Sequence, residues 1–151
     1  MTFAADRSDS APSPPDGAAA LAEAVARVGD RWALLLVHAL LHGPRRFNDL
    51  QADLPGIAPN VLSQRLKHLE RAGVVMASAY SRRPPRFVYE LTAAGLELAG
   101  ALRLLAQWGA RAGDAEPLRH HACGTPVEAR WYCPTCGRVV EDEGAEDLRF
   151  V

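Results

Sequence analysis

Four side chains near the end of the chain have the types and spacing of a metal site. His120-x-x-Cys123-Gly124 is followed, with nine residues between Cys123 and Cys133, by Cys133-Pro134-Thr135-Cys136-Gly137. Two ligands three residues apart, then a glycine, form a knuckle, because glycine permits the tight turn that aims backbone N–H groups at the sulfurs. Two knuckles offer one imidazole and three thiolates. That is a complete tetrahedral shell for one structural zinc ion per chain, with no open position for substrate or water. His121 is the alternative ligand, although the spacing of His120 mirrors that of Cys133 and Cys136. Reduced, metal-free thiols and a thiol–disulfide pair are the competing readings. Three cysteines and an N-terminus without a signal-type apolar stretch predict a cytoplasmic protein, where thiols bind metals more often than they form disulfides.

A second set of residues could read nucleic acid. A helix predicted over 59–72 carries Leu62, Leu66 and Leu69 at spacings of four and three, which is one buried stripe. Its other side carries Asn60, Ser63, Gln64 and Lys67, the donors and acceptors that base edges in a major groove require. Arg65, with Arg45 or Arg46, could hold phosphates. A predicted hairpin follows, tipped by Arg82-Arg83-Pro84-Pro85-Arg86, which places basic side chains on a stiff loop. Residues 43–86 hold eight basic and three acidic side chains, a surplus of five, whereas 112–151 has an acidic surplus of four. That asymmetry suits an anionic partner for the middle of the chain. Alone, a polar helix face is more often a solvated surface; the order of helix, turn and basic hairpin tips the balance. No Ser-His-Asp set, phosphate-binding glycine loop or carboxylate pair is present, so no enzyme activity is expected.

These residues need elements to position them. The 151 residues are 48% hydrophobic and 23% charged, ordinary for one globular domain with a small appendage. The longest strongly apolar run, 32–41, is half the roughly 20 residues a bilayer-spanning helix needs, so no membrane partner is expected. Residues 1–17, rich in Ser, Pro, Asp and Ala, read as a disordered arm. Helices are predicted over 18–28, 31–41 with Asp30 as N-cap, 45–52 and 59–72. Strands over 74–80 and 86–91 form the hairpin, and Thr92 caps a last helix to about residue 111. Trp32, Leu36, Phe47, Leu50, Leu62, Leu66 and Leu69 are the expected core. Leu98, Leu102, Leu105 and Trp108 are expected on one side of the last helix. The fold class is mainly α with a small β-hairpin: a winged helix-turn-helix over 18–112 and a small zinc ribbon over 117–151.

The chain resembles the HxlR family of bacterial winged-helix transcription regulators. The resemblance rests on Gly29-Asp30-Arg31-Trp32, Gly43-Pro44-Arg45-Arg46-Phe47-Asn48-Asp49-Leu50, the run from Leu54 to Leu66, and Tyr89-Glu90-Leu91-Thr92-Ala93-Ala94-Gly95. It covers about residues 18–110. It implies a homodimer built through the first and last helices, double-stranded promoter DNA as partner, and repression or activation that answers a small-molecule effector or oxidative stress. Some relatives carry a zinc-ribbon-like extension, whose ligands His120, Cys123, Cys133 and Cys136 resemble. The oxidant-sensing cysteine that many members carry in or before the first helix has no counterpart in Gly17-Ala18-Ala19-Ala20. The alternative function is a protein-interaction module, with the winged helix as dimer scaffold and the ribbon as docking surface.

Overall fold

The structure is a computed structural model and describes residues 17–113 and 115–140. The predicted arm, Gly17 apart, and the end of the predicted ribbon from residue 141 lie outside the described residues.

Four helices come first: α1 (Ala18–Val28), α2 (Arg31–Leu40), α3 (Phe47–Asp53) and α4 (Pro59–Arg71). The Asp30 carboxylate starts α2 by accepting from Trp32 N at 3.0 Å and Ala33 N at 3.2 Å, which satisfies two amides that have no partner inside the helix. Pro59 begins α4 at a position where its missing N–H costs nothing. His68 of α4 donates from Nε2 to the carbonyl of Arg27 at 2.9 Å, tying α4 to the end of α1.

Leu36, Val37, Leu50, Leu62, Leu66 and Leu69 are fully buried and make the centre of the core. Each such side chain contributes about 1.5–3 kcal/mol through burial. Phe47 and Trp32 pack at the margin of this cluster, so Trp32 is half-buried instead of central, with the Arg31 guanidinium 4.6 Å over its ring. On α1 only Val28 reaches the core; Leu21 and Val25 are exposed.

The third helix begins later than the sequence pattern predicts. Arg45 and Arg46 form a short strand, β1 (Arg45–Arg46), paired with the returning strand of the hairpin at Tyr89 and Val88. The helix starts only at Phe47, where the Asp49 carboxylate accepts from Arg46 N at 3.1 Å. Pairing to a strand some forty residues away is a tertiary contact, and it overrides the local helical pattern.

The hairpin consists of β2 (Val75–Arg82) and β3 (Pro85–Leu91), and the sheet order is β1-β3-β2. Its strands extend further than 74–80 and 86–91 predict, leaving Arg83 and Pro84 as the tip. The register shifts between Ala79 and Ser81, so Tyr80 sits in a bulge.

The hairpin is fastened to the last helix, α5 (Ala93–Arg111), by Thr92. Its hydroxyl donates to Gly73 O at 2.6 Å and accepts from Gly95 N at 3.1 Å. Gly95 lies so close to the carbonyl oxygen of Val74 that a Cβ there would overlap it. Leu98 and Leu102 of α5 pack on the core, but Leu105 and Trp108 are 52% and 68% exposed, so the four do not share one buried side. At 3.6 residues per turn Leu105 continues the stripe of Leu98 and Leu102, and it is exposed because the core ends at Leu102.

Beyond α5, β4 (Trp131–Cys133) and β5 (Arg138–Val140) form a second, two-stranded sheet. Gln107 Nε2 of α5 donates to Val127 O at 3.0 Å and links this segment to the helix.

Candidate nucleic-acid interface

The inward stripe of α4 dictates its outward one. With Leu62, Leu66 and Leu69 buried, Asn60, Gln64 and Lys67 are exposed and Ser63 is half-buried beside them. These positions recur at three and four residues, so they form a single polar stripe along the helix. A stripe of an amide, a hydroxyl, a second amide and an ammonium can donate to and accept from base edges.

The basic residues divide into two groups that the sequence did not separate. Arg65 Nε stands 2.8 Å from Asp30 Oδ1, the same carboxylate that caps α2. The approach is off-axis for a hydrogen bond, so charge attraction holds this pair. Arg45 Nε is likewise 3.3 Å from Asp53 Oδ2 without hydrogen-bond alignment. Both arginines brace helices inside the chain. Arg46 lies with its guanidinium 4.8 Å over the ring of Tyr80, the bulge residue. Arg82, Arg83 and Arg86 are exposed around the hairpin tip, where Ser81 Oγ donates to Pro84 O at 2.9 Å and fastens the turn. The Arg83–Pro84 peptide bond is cis.

Sequence reasoning missed the second role of Asp30 and the part played by Tyr80. An N-cap is visible from local spacing, whereas a partner 35 positions away on another helix is not. A bulky aromatic within a basic hairpin was the one available signal for Tyr80.

The four predicted metal ligands fall into two similar turns. Gly124 N donates to His120 O at 2.8 Å, and Gly137 N donates to Cys133 O at 2.9 Å. Both glycines have left-handed backbone, φ 69° and 66°, which a side chain would strain. In the first turn His120 Nδ1 and Cys123 Sγ are 3.3 Å apart. In the second, Cys136 N donates to Cys133 Sγ at 3.5 Å. Hydrogen bonds from the Thr125 side chain and backbone, followed by one from His120, lower the Cys123 thiol to about 7. The backbone N–H of Cys136 chiefly holds the Cys133 thiol below its ordinary value, while hydrogen bonding to Cys133 and its charge push Cys136 up. The structure forms each half locally and does not bring the halves together: among the described residues no three His, Cys, Asp or Glu side chains form one metal-holding group.

The HxlR-like helix-turn-helix family profile matches residues 27–117, which spans α2 to α5 with the hairpin. The chain belongs to this family. Its similarity extends to the HTH-type transcriptional regulator Rv3095 of Mycobacterium tuberculosis, itself uncharacterised, at 39% identity over 118 residues, 75% of this chain and 74% of that one. Among solved structures, the redox regulator HypR in its reduced form superposes with a TM-score of 0.58 at 27% identity, covering 61% of this chain and 91% of HypR. The reduced form of the transcriptional regulator YodB from Bacillus subtilis gives a TM-score of 0.54 at 29% identity, covering 61% and 90%. HxlR-like proteins of this kind are transcriptional regulators, and the winged helix described above is the fold they share with this chain. The matched region includes α4 and the β2–β3 hairpin. No helix among the described residues is long and apolar enough to cross a membrane.

Proposed function

We propose that this regulator acts in the cytoplasm as a homodimer on two-fold promoter sites, with α4 in the major groove and the wing against the backbone. Asn60, Ser63, Gln64 and Lys67 read bases, and Arg46, Arg82, Arg83 and Arg86 contact phosphates. Arg45 and Arg65 act indirectly, by holding α3 and α4 in place. The observation that carries this reading is the exposed polar stripe of α4, accompanied by a wing whose arginines make no ion pair among the described residues.

The dimer reading draws support from Leu21 and Val25 on α1 and Leu105 and Trp108 on α5, large apolar side chains left exposed by the single chain. Two helices with such surfaces suit an isologous contact, which would hold two recognition helices at the separation of successive half-sites.

The ribbon reading assigns one zinc ion to His120, Cys123, Cys133 and Cys136. The fit lies in the donor set and in the two glycine turns, each aiming backbone N–H groups toward its thiols. With all four positions filled, zinc would supply stability to a segment with almost no buried side chains. In this reading, joining the two knuckles is the work of the metal.

Capture of genomic DNA fragments by the purified protein, followed by sequencing, tests the central claim. The expected result is enrichment of a small set of inverted repeats, with binding that weakens steeply as salt rises. Absence of any enriched sequence, together with salt-insensitive binding, would overturn it.

A further inference from the structure

A cavity of about 930 Å³ lies between α5 and the C-terminal segment. It occupies the side of α5 turned away from the winged-helix core, because Gly100, Leu104, Gln107 and Arg111 face it while Leu98 and Leu102 face the core. Gly100 leaves its wall open: a Cβ there would meet nothing within 4 Å. Leu104, Leu118, Val127, Trp131 and Val140 supply apolar surface. The hydrogen bond from Gln107 to Val127 O holds the two walls in register. A space of this size, mostly apolar with a few polar groups, has the form of a small-molecule site.

Its charge decides what could fill it. Glu128, its one carboxylate, is taken by Arg130 at 2.7 Å. Arg103 and Arg111 also line the cavity, and neither has an ion-pair partner among the described residues. Eight residues along a helix separate them by about 12 Å, so two cations flank an apolar trough. Both guanidiniums are exposed and stay hydrated beside a neutral ligand, but they attract an organic anion and repel an organic cation.

We propose that this cavity binds an amphipathic organic anion. Its flat apolar body lies against Leu104, Trp131 and Val140, and its carboxylate or sulfonate meets Arg103 or Arg111. The site stands apart from the DNA-binding reading, since occupancy is measured without DNA.

The test uses the full chain as purified, titrated with 1-anilinonaphthalene-8-sulfonate and with its uncharged counterpart, N-phenyl-1-naphthylamine. The anion is expected to bind about five- to ten-fold more tightly than the neutral probe. Gly100→Leu fills the trough, and the exposed pair Arg103→Gln with Arg111→Gln removes the charge; each is expected to weaken the anion by a similar factor. Met76→Ala, an exposed residue of β2 outside the cavity lining, is expected to leave affinity unchanged. Equal affinity for the two probes, or no loss in either Gly100→Leu or the double arginine variant, would overturn the proposal. So would anion binding seen only after Glu141→Gln, Asp142→Asn and Glu143→Gln together, since the occupant would then be the acidic segment that follows Val140.

Discussion

Removing Arg65 and removing Arg83 are expected to do different things, although both are arginines in the DNA-binding region. Arg65 is paired with Asp30 at 2.8 Å, with side-chain exposures of 35% and 38%. A pair about one-third exposed is discounted for solvent screening, so Arg65→Ala is expected to cost about 0.5 kcal/mol of stability. Asp30→Ala removes this pair and also the cap on α2, for a total of about 1.5 kcal/mol. A double-mutant cycle should return the shared part, about 0.5 kcal/mol, as coupling. Arg83 is exposed on the wing and makes no ion pair among the described residues, so Arg83→Ala should leave stability unchanged. If it neutralises one phosphate, its loss lowers the slope of log affinity against log salt by about 0.9, or about 3.5-fold over the range from about 50 to about 200 mM. Arg65→Ala should leave that slope within about 0.2 of the parent. Urea denaturation and fluorescence anisotropy on a captured operator duplex measure the two quantities. A slope lowered by Arg65→Ala as much as by Arg83→Ala, with no loss of stability, would refute the assignment of Arg65 as an internal brace.

Four other outcomes are expected. Gly95→Ala drives a methyl into the carbonyl of Val74, a cost of about 1–3 kcal/mol that outweighs the better helix propensity of alanine and is readable by thermal denaturation. Trp108→Glu places a charge on a face that is exposed in the single chain, so light scattering should show twice 16.3 kDa for the parent and 16.3 kDa for the variant, with unchanged helix content. Elemental analysis should find about one zinc per chain, lost in Cys133→Ser and in Cys136→Ser, and equal zinc in all three proteins would remove the ribbon reading. In metal-stripped protein, iodoacetamide should label Cys123 with a rate that climbs as pH rises through about 7, where its thiol becomes thiolate, while Cys136, whose thiol is pushed up, reacts only at higher pH; mass mapping that ranked them in the opposite order would contradict the local hydrogen bonding.

Much of the winged helix was determined locally. The alternation of leucines at 62, 66 and 69 specifies both a helix and its inner face, and the outward residues follow by geometry. Asp30 and Thr92 announce helix starts because a cap bonds to amides two or three positions ahead, within reach of sequence spacing. The two glycine turns follow from the same short-range logic. Tertiary structure decided what depends on distant partners. Arg45 and Arg46 look like a first helical turn until Tyr89 and Val88 supply hydrogen bonds from another strand. Leu105 and Trp108 continue the apolar pattern of α5, yet the core ends at Leu102, so they remain exposed. Arg65 and Arg83 carry the same charge in the sequence, and only the fold shows that Asp30 stands beside the first and no carboxylate of the described residues beside the second. Local bonding patterns reach a few residues along the chain, whereas the environment of a charge or an apolar face is set by whichever elements pack against it.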